Sequence, residues 1–224
     1  MTQPEAEVRR AWRQIAGQHH DGYVDALLMR YAEPHRHYHT AAHIMFVLRH
    51  LADAHQALTV PPTPEVIAAA LYHDAIYDAR AGDNEVLSGL LAHNDLSEIG
   101  WAAPRCDTVA AMIVATAGHV DPQQADLAGS TARPSDTAML LDADLAILGA
   151  DPAAYQAYVN GVRSEYAHVD DVAWHDGRSR VLQVFLGRPR LFAGGYMHAE
   201  FDHRARANIE AELAALSHRS TRSD

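Results

Sequence analysis

The chain contains a single cysteine, Cys106, so no internal disulfide can form and no cysteine-based zinc site can be built. Long hydrophobic runs are missing as well. No stretch approaches the roughly 20 apolar residues of a membrane span, and the polar start Met1-Thr2-Gln3-Pro4-Glu5 lacks the apolar centre of a signal peptide. These absences fit a cytoplasmic protein with no membrane partner. Basic charge is also in short supply. Eighteen Lys and Arg against 29 Asp and Glu leave a formal net charge of −11, which argues against a stable nucleic-acid complex, because such binders usually present a basic face. Small anionic substrates stay open, since a metal ion and local arginines can reverse the sign of a pocket. Alternating strand patterns, internal repeats and low-complexity linkers are absent too.

What the chain does have is helical periodicity and histidine. Its 224 residues suit one large domain or two small ones, and a 48% hydrophobic content can build a substantial core. Val8, Trp12 and Ile15 begin a helical stripe, and Tyr23, Leu27, Leu28 and Tyr31 resume it after Gly22. The pattern predicts helices over 40–57, from Thr63 or Pro64 onward, from Asp83 onward, from Pro104 towards Gly118, and over 137–148, 155–166, 172–186 and 198–216. Residues 121–135 read as a loop. The expectation is one all-α domain over 1–216, a bundle of about eight to ten helices, with a frayed polar tail over 217–224.

Three places set charge inside apolar sequence. His73-Asp74 lies in the run from Val66 to Tyr77, His35 to His43 form a histidine cluster, and Asp142 and Asp144 sit between Leu140 and Leu148. Buried charge is expensive unless it is paired or binds a metal, so the three point to one shared site. His39 and His43, four apart, share a helix face; they can be two ligands, or one ligand beside an acid–base group. His73 and Asp74 diverge by about 100° on an ideal helix, so both reach one ion only if the helix end faces the site. Of Asp142 and Asp144, two apart, only one is expected to ligate. Such a His/carboxylate shell suits Mn, Fe, Co, Ni or Zn and tolerates Mg. Glu85, one loop beyond, is read either as holding a water at the ion or as a helix cap. Among Arg36, Arg163 and Arg178, Arg36 is the best anion-binding choice because it adjoins the histidines; salt bridges are the expected role of the others. Tyr155, Tyr158 and Tyr166 read as core.

The order His, His-Asp, Asp on helices resembles the HD-domain phosphohydrolase superfamily. Tyr38-His39-Thr40-Ala41-Ala42-His43-Ile44 is similar to a segment of its cyclic-nucleotide phosphodiesterase branch. The resemblance is closer to a bacterial subgroup of metal-dependent phosphohydrolases, through Pro34 to His39, Tyr72 to Asp78, Asp83 to Glu85, Leu141 to Gly149, Arg163 to Tyr166 and Ala205 to Asn208. It implies an HD-type helical fold with His43, His73, Asp74 and Asp144 on a divalent ion, Asp144 being preferred to Asp142. It further implies His39 as general acid; Asp74 and Glu85 complete the candidate catalytic groups, and Arg36 and His119 are the candidates for the substrate. His93 and His119 fall where many two-metal members carry further histidines. His119, at a helix end, fits that role; His93 reads as solvated. One ion is expected, a second is allowed, and the loop after His119 is read as a lid. The implied activity is hydrolysis of a phosphate ester of a nucleotide or similar small metabolite. A silent nucleotide-binding module and a purely structural metal site are the alternatives. Self-association is left open.

Overall fold

The computed structural model describes residues 1–119 and 135–220, with side chains as far as 217. Among these residues there are ten α-helices and no strand, as the periodicity predicts. The loop and lid expected over 121–134, and positions 221–224 of the tail, lie outside the described residues. Where the pattern reads as one domain over 1–216, the contacts group the chain into two compact units, Met1–Asp144 and Leu145–Asp224.

The first unit holds α1 (Gln3–Ala16), α2 (Asp21–Tyr31), α3 (Ala41–Ala57), α4 (Pro64–Tyr72), α5 (Asn84–Glu98) and α6 (Ala103–Thr116), and α7 (Asp136–Leu145) closes it. Helix starts follow cap chemistry. Thr2 and Glu5 form a reciprocal capping box, the Thr40 hydroxyl accepts from the Ala42 amide, and Thr63 accepts from Val66 just ahead of Pro64. Thr63 also donates to the Asp136 carboxylate, tying the start of α7 to the start of α4. α4 is the centre of this unit. It is apolar on all sides, every residue from Val66 to Tyr72 is buried, and it packs against α1, α3, α5 and α6, as an all-round hydrophobic helix must.

α4 stops at Tyr72, sooner than the apolar run implies, and His73 is its C-cap. A non-helical turn over 74–83 follows, held from both flanks. The Asn84 side chain donates to the Asp78 carbonyl (2.9 Å) and accepts from the Asp78 amide (3.0 Å). Ser88, fully buried on α5, accepts from the Ile76 amide at 2.9 Å and donates to the Ile76 carbonyl at 3.3 Å. The Tyr31 hydroxyl donates to the Leu71 carbonyl (2.8 Å), which has no partner within α4 because the helix ends there.

The second unit contains a 3₁₀ turn over 146–149, α8 (Pro152–Glu165), α9 (Asp171–Gly187) and α10 (Gly195–Ser220). α10 runs through Ser217–Ser220, where fraying is expected from composition. The Asn208 side chain donates to the Leu148 and Ala150 carbonyls at 2.8 and 3.0 Å, and Arg204 donates to the Gly149 carbonyl at 2.8 Å. Arg178, Glu212 and Tyr155 form a buried network, with Arg178 Nε donating to Glu212 at 2.8 Å and Nη1 to the Tyr158 hydroxyl at 3.0 Å. Gly149 is packed so closely on α10 that a Cβ there would meet Phe201 Cβ and its carbonyl oxygen at 2.7 Å. Gly149→Ala is therefore expected to destabilise this unit by about 1–3 kcal/mol, the range of overpacking in rigid cores. Chemical denaturation followed by circular dichroism checks it, and an unchanged midpoint contradicts it.

Candidate metal centre

Three helix ends deliver the ligands. His43 lies in the first turn of α3, on the buried stripe with Ile44, Val47 and Leu51. His73 caps α4, and Asp74 begins the turn beyond it. Asp144 lies one helical turn after Leu140, whose side chain belongs to the core of the first unit, so it projects from the core-facing side of α7. His43, His73 and Asp144 each offer one ligand atom, all within 4.8 Å of one another.

The individual distances are tighter still. His43 Nε2 stands 3.1 Å from His73 Nε2, 3.2 Å from Asp144 Oδ1 and 3.3 Å from Asp74 Oδ2. His73 Nε2 stands 3.1 Å from Asp74 Oδ2 and 3.7 Å from Asp144 Oδ1. Ligands bonded to one ion at about 2.0–2.2 Å lie roughly 3–3.5 Å from each other, which is this spacing. His73 Nδ1 is 3.0 Å from the Ala70 carbonyl. That oxygen can only accept, so Nδ1 carries the hydrogen and, in the neutral ring, Nε2 faces the cluster as a lone pair. The His43 ring is placed by packing, its centroid 4.8 Å from that of Tyr38 and 5.7 Å from that of His39. Two imidazole lone pairs facing each other at 3.1 Å repel unless a proton or a cation lies between them. A cation can satisfy both nitrogens and both carboxylates together, so the donor set fits a divalent ion.

The electrostatics agree. Burial pushes the Asp74 carboxyl up, but the fields of His73 and His39 and hydrogen bonds from His43 and His73 outweigh it and hold the group well below the usual carboxylate range. Burial also opposes ionisation of Asp144, where hydrogen bonds from His119, His43 and His73 prevail and lower it. His73 and His43 are both raised: burial disfavours their charge, and the two carboxylates overcome it. Negative charge here is stable only with positive charge beside it.

The other sequence-predicted residues divide. His119 comes to the site, its Nε2 3.0 Å from Asp144 Oδ2. It adopts a positive φ of 47° directly after Gly118. His39 stands beside His43, half-buried, its ring centroid 4.3 Å from that of Tyr77. Asp142 is buried on α7 but is not in the cluster. Glu85, in the first turn of α5, makes no hydrogen bond or ion pair with the cluster among the described residues. His93 pairs with Asp107 at 3.3 Å, away from the cluster.

Arg36 corrects an expectation. It is 5% exposed, and its donors are already engaged: Nε to Glu33 at 3.0 Å, Nη1 to the His39 and Asp74 carbonyls at 3.1 and 2.7 Å, and Nη2 to the Ala75 carbonyl at 3.1 Å. A guanidinium enclosed in this way holds backbone and is not presented to an anion. Arg163 and Arg178 take the expected salt bridges, with Asp171 and Glu212. The sequence puts Tyr31 on an apolar stripe and Asn84 at a helix start and gives no reading of Ser88, because a lone hydroxyl in an apolar helix, or an asparagine at a helix start, carries no signal of the turn it secures.

No protein-family model, curated protein or solved structure matches this chain, and among the described residues no helix is long and apolar enough to cross a membrane. The reading of the site rests on its residues. Asp144→Asn should weaken divalent-metal binding on the order of 100-fold or more by removing a direct ligand, whereas Asp142→Asn should leave it within a few-fold. Calorimetric titration of both variants with Mn²⁺ or Zn²⁺ decides between the two aspartates, and equal losses would contradict the assignment.

Proposed function

We propose that the first unit is a metal-dependent phosphohydrolase of the HD-domain type, cleaving a phosphate ester of a nucleotide or another small phosphorylated metabolite. The observation that carries this reading is the convergence of His43, His73 and Asp144, with Asp74 beside them, on one point. When bound there, a divalent ion supplies Lewis acidity that lowers the pKa of a water and neutralises charge on the phosphoryl oxygens.

The side chains then have separable tasks. His43, His73, Asp74 and Asp144 hold the ion. His119 orients Asp144 by hydrogen bonding to the oxygen opposite the one nearest His43. His39, next to the ligands and half-buried, gives its proton to the departing ester oxygen. General-acid assistance of this kind contributes about 10²–10⁴-fold.

The test removes and restores metal across Mn, Fe, Co, Ni, Zn and Mg, measuring bound ion and phosphate release over a panel of nucleotides and sugar phosphates. Asp74→Ala and His43→Ala should lose both ion and turnover with helical content kept. His39→Ala should keep the ion and lose about 10²–10⁴-fold in turnover. Undiminished phosphate release from chelated, metal-free protein would falsify the mechanism. Ion uptake and tight nucleotide binding without product after long incubation would favour the silent binding module.

A further inference from the structure

We infer that Arg36 is a positioning residue that joins the two segments of the metal centre, setting the His39 backbone against the turn that begins with Asp74. The inference rests on the metal reading above and assigns Arg36 a part in it that neither composition nor the resemblance supplies. One nitrogen, Nη1, donates to the His39 carbonyl at 3.1 Å and to the Asp74 carbonyl at 2.7 Å, and Nη2 reaches the next carbonyl, Ala75, at 3.1 Å. The proposed proton donor and a proposed ligand thus share one clamp, although 35 positions separate them in the chain.

The clamp has little freedom. The Arg36 side chain is wholly buried. Its guanidinium carbon lies 5.2 Å from the Tyr31 ring centroid and 5.5 Å from that of Tyr77, and Nε is fixed on Glu33 at 3.0 Å. Tyr31 also secures the last turn of α4 through Leu71, and Tyr77 lies against the His39 ring. The same aromatic pair therefore positions the arginine and the segments it joins. A planar, multidentate, permanently charged group is what three carbonyls in different directions require; a lysine ammonium is a point donor on a flexible stem and cannot hold all three in that plane.

The test compares Mn²⁺ affinity of the full-length wild-type chain with that of Arg36→Lys, Arg36→Met and Glu33→Gln, alongside far-UV circular dichroism. Leu96→Ala serves as the control, since it removes core volume from the same unit without touching the turn. Both Arg36 variants should bind Mn²⁺ about 10–100-fold more weakly, the range for residues that orient metal ligands, with Lys nearer wild type. Glu33→Gln keeps the clamp and remains a usable arm if Arg36→Met does not fold; it should weaken binding several-fold. Leu96→Ala should lower the melting temperature and keep the affinity. Wild-type affinity in Arg36→Lys and Glu33→Gln, or an equal loss in Leu96→Ala, overturns the assignment while leaving the metal reading in place. Absence of Mn²⁺ uptake by the wild-type chain overturns both.

Discussion

Two carboxylates and two imidazoles, all confined to one small volume, are the constraint on which the first unit depends. Asp74 and Asp144 each lie within 3.3 Å of an imidazole nitrogen, and like charges this close repel strongly once water is excluded. The two carboxylates favour the charged form of both histidines against the opposing effect of burial. A divalent ion removes the need for that charge on the histidines. The arrangement is electrostatically incomplete by itself, and a site of that kind is explained by what it binds more readily than by what it contributes to folding.

The helices meet this constraint with their ends. A residue in mid-helix is held by its own turn and faces one direction, whereas a first turn or a cap can face along the axis. His43 in the opening turn of α3, His73 at the close of α4 and Asp144 at the close of α7 are all terminal. Asp74 follows the C-cap His73 directly, and its Oδ2 lies 3.1 Å from His73 Nε2.

This distinction also explains what could be read in advance. Helix positions were legible because their causes are local: Thr63-Pro64 starts α4, and apolar spacing marks the buried faces. The cluster residues His43, His73 and Asp144 were legible because charge in an apolar run has few explanations. Arg36 was misread because its neighbours in sequence are histidines, while its neighbours in space are carbonyls up to 39 positions away. Ser88 and Asn84 reach the Ile76 and Asp78 backbone, 12 and 6 positions away, contacts that their residue types do not announce. Glu85, near the motif in sequence, makes no direct hydrogen bond or ion pair with the cluster among the described residues. Proximity along the chain identifies a segment, but only long-range hydrogen bonds decide which side chain faces the site.

The turn after His73 shows why those unseen contacts matter for chemistry. Ordering each backbone residue costs about 1–2 kcal/mol in conformational entropy, and the stretch over 74–83 has no helical ladder to offset it. Instead Asp78 is held by Asn84, Ile76 by Ser88, and Asp74 and Ala75 by Arg36. These tethers come from α5 on one side and from the segment before α3 on the other. A loop ordered this way holds the Asp74 carboxylate in place among two imidazoles and a second carboxylate without relying on anything bound. Disruption of the tethers would be felt first at the cluster, because the buried α4 beneath them is held independently by its own apolar contacts.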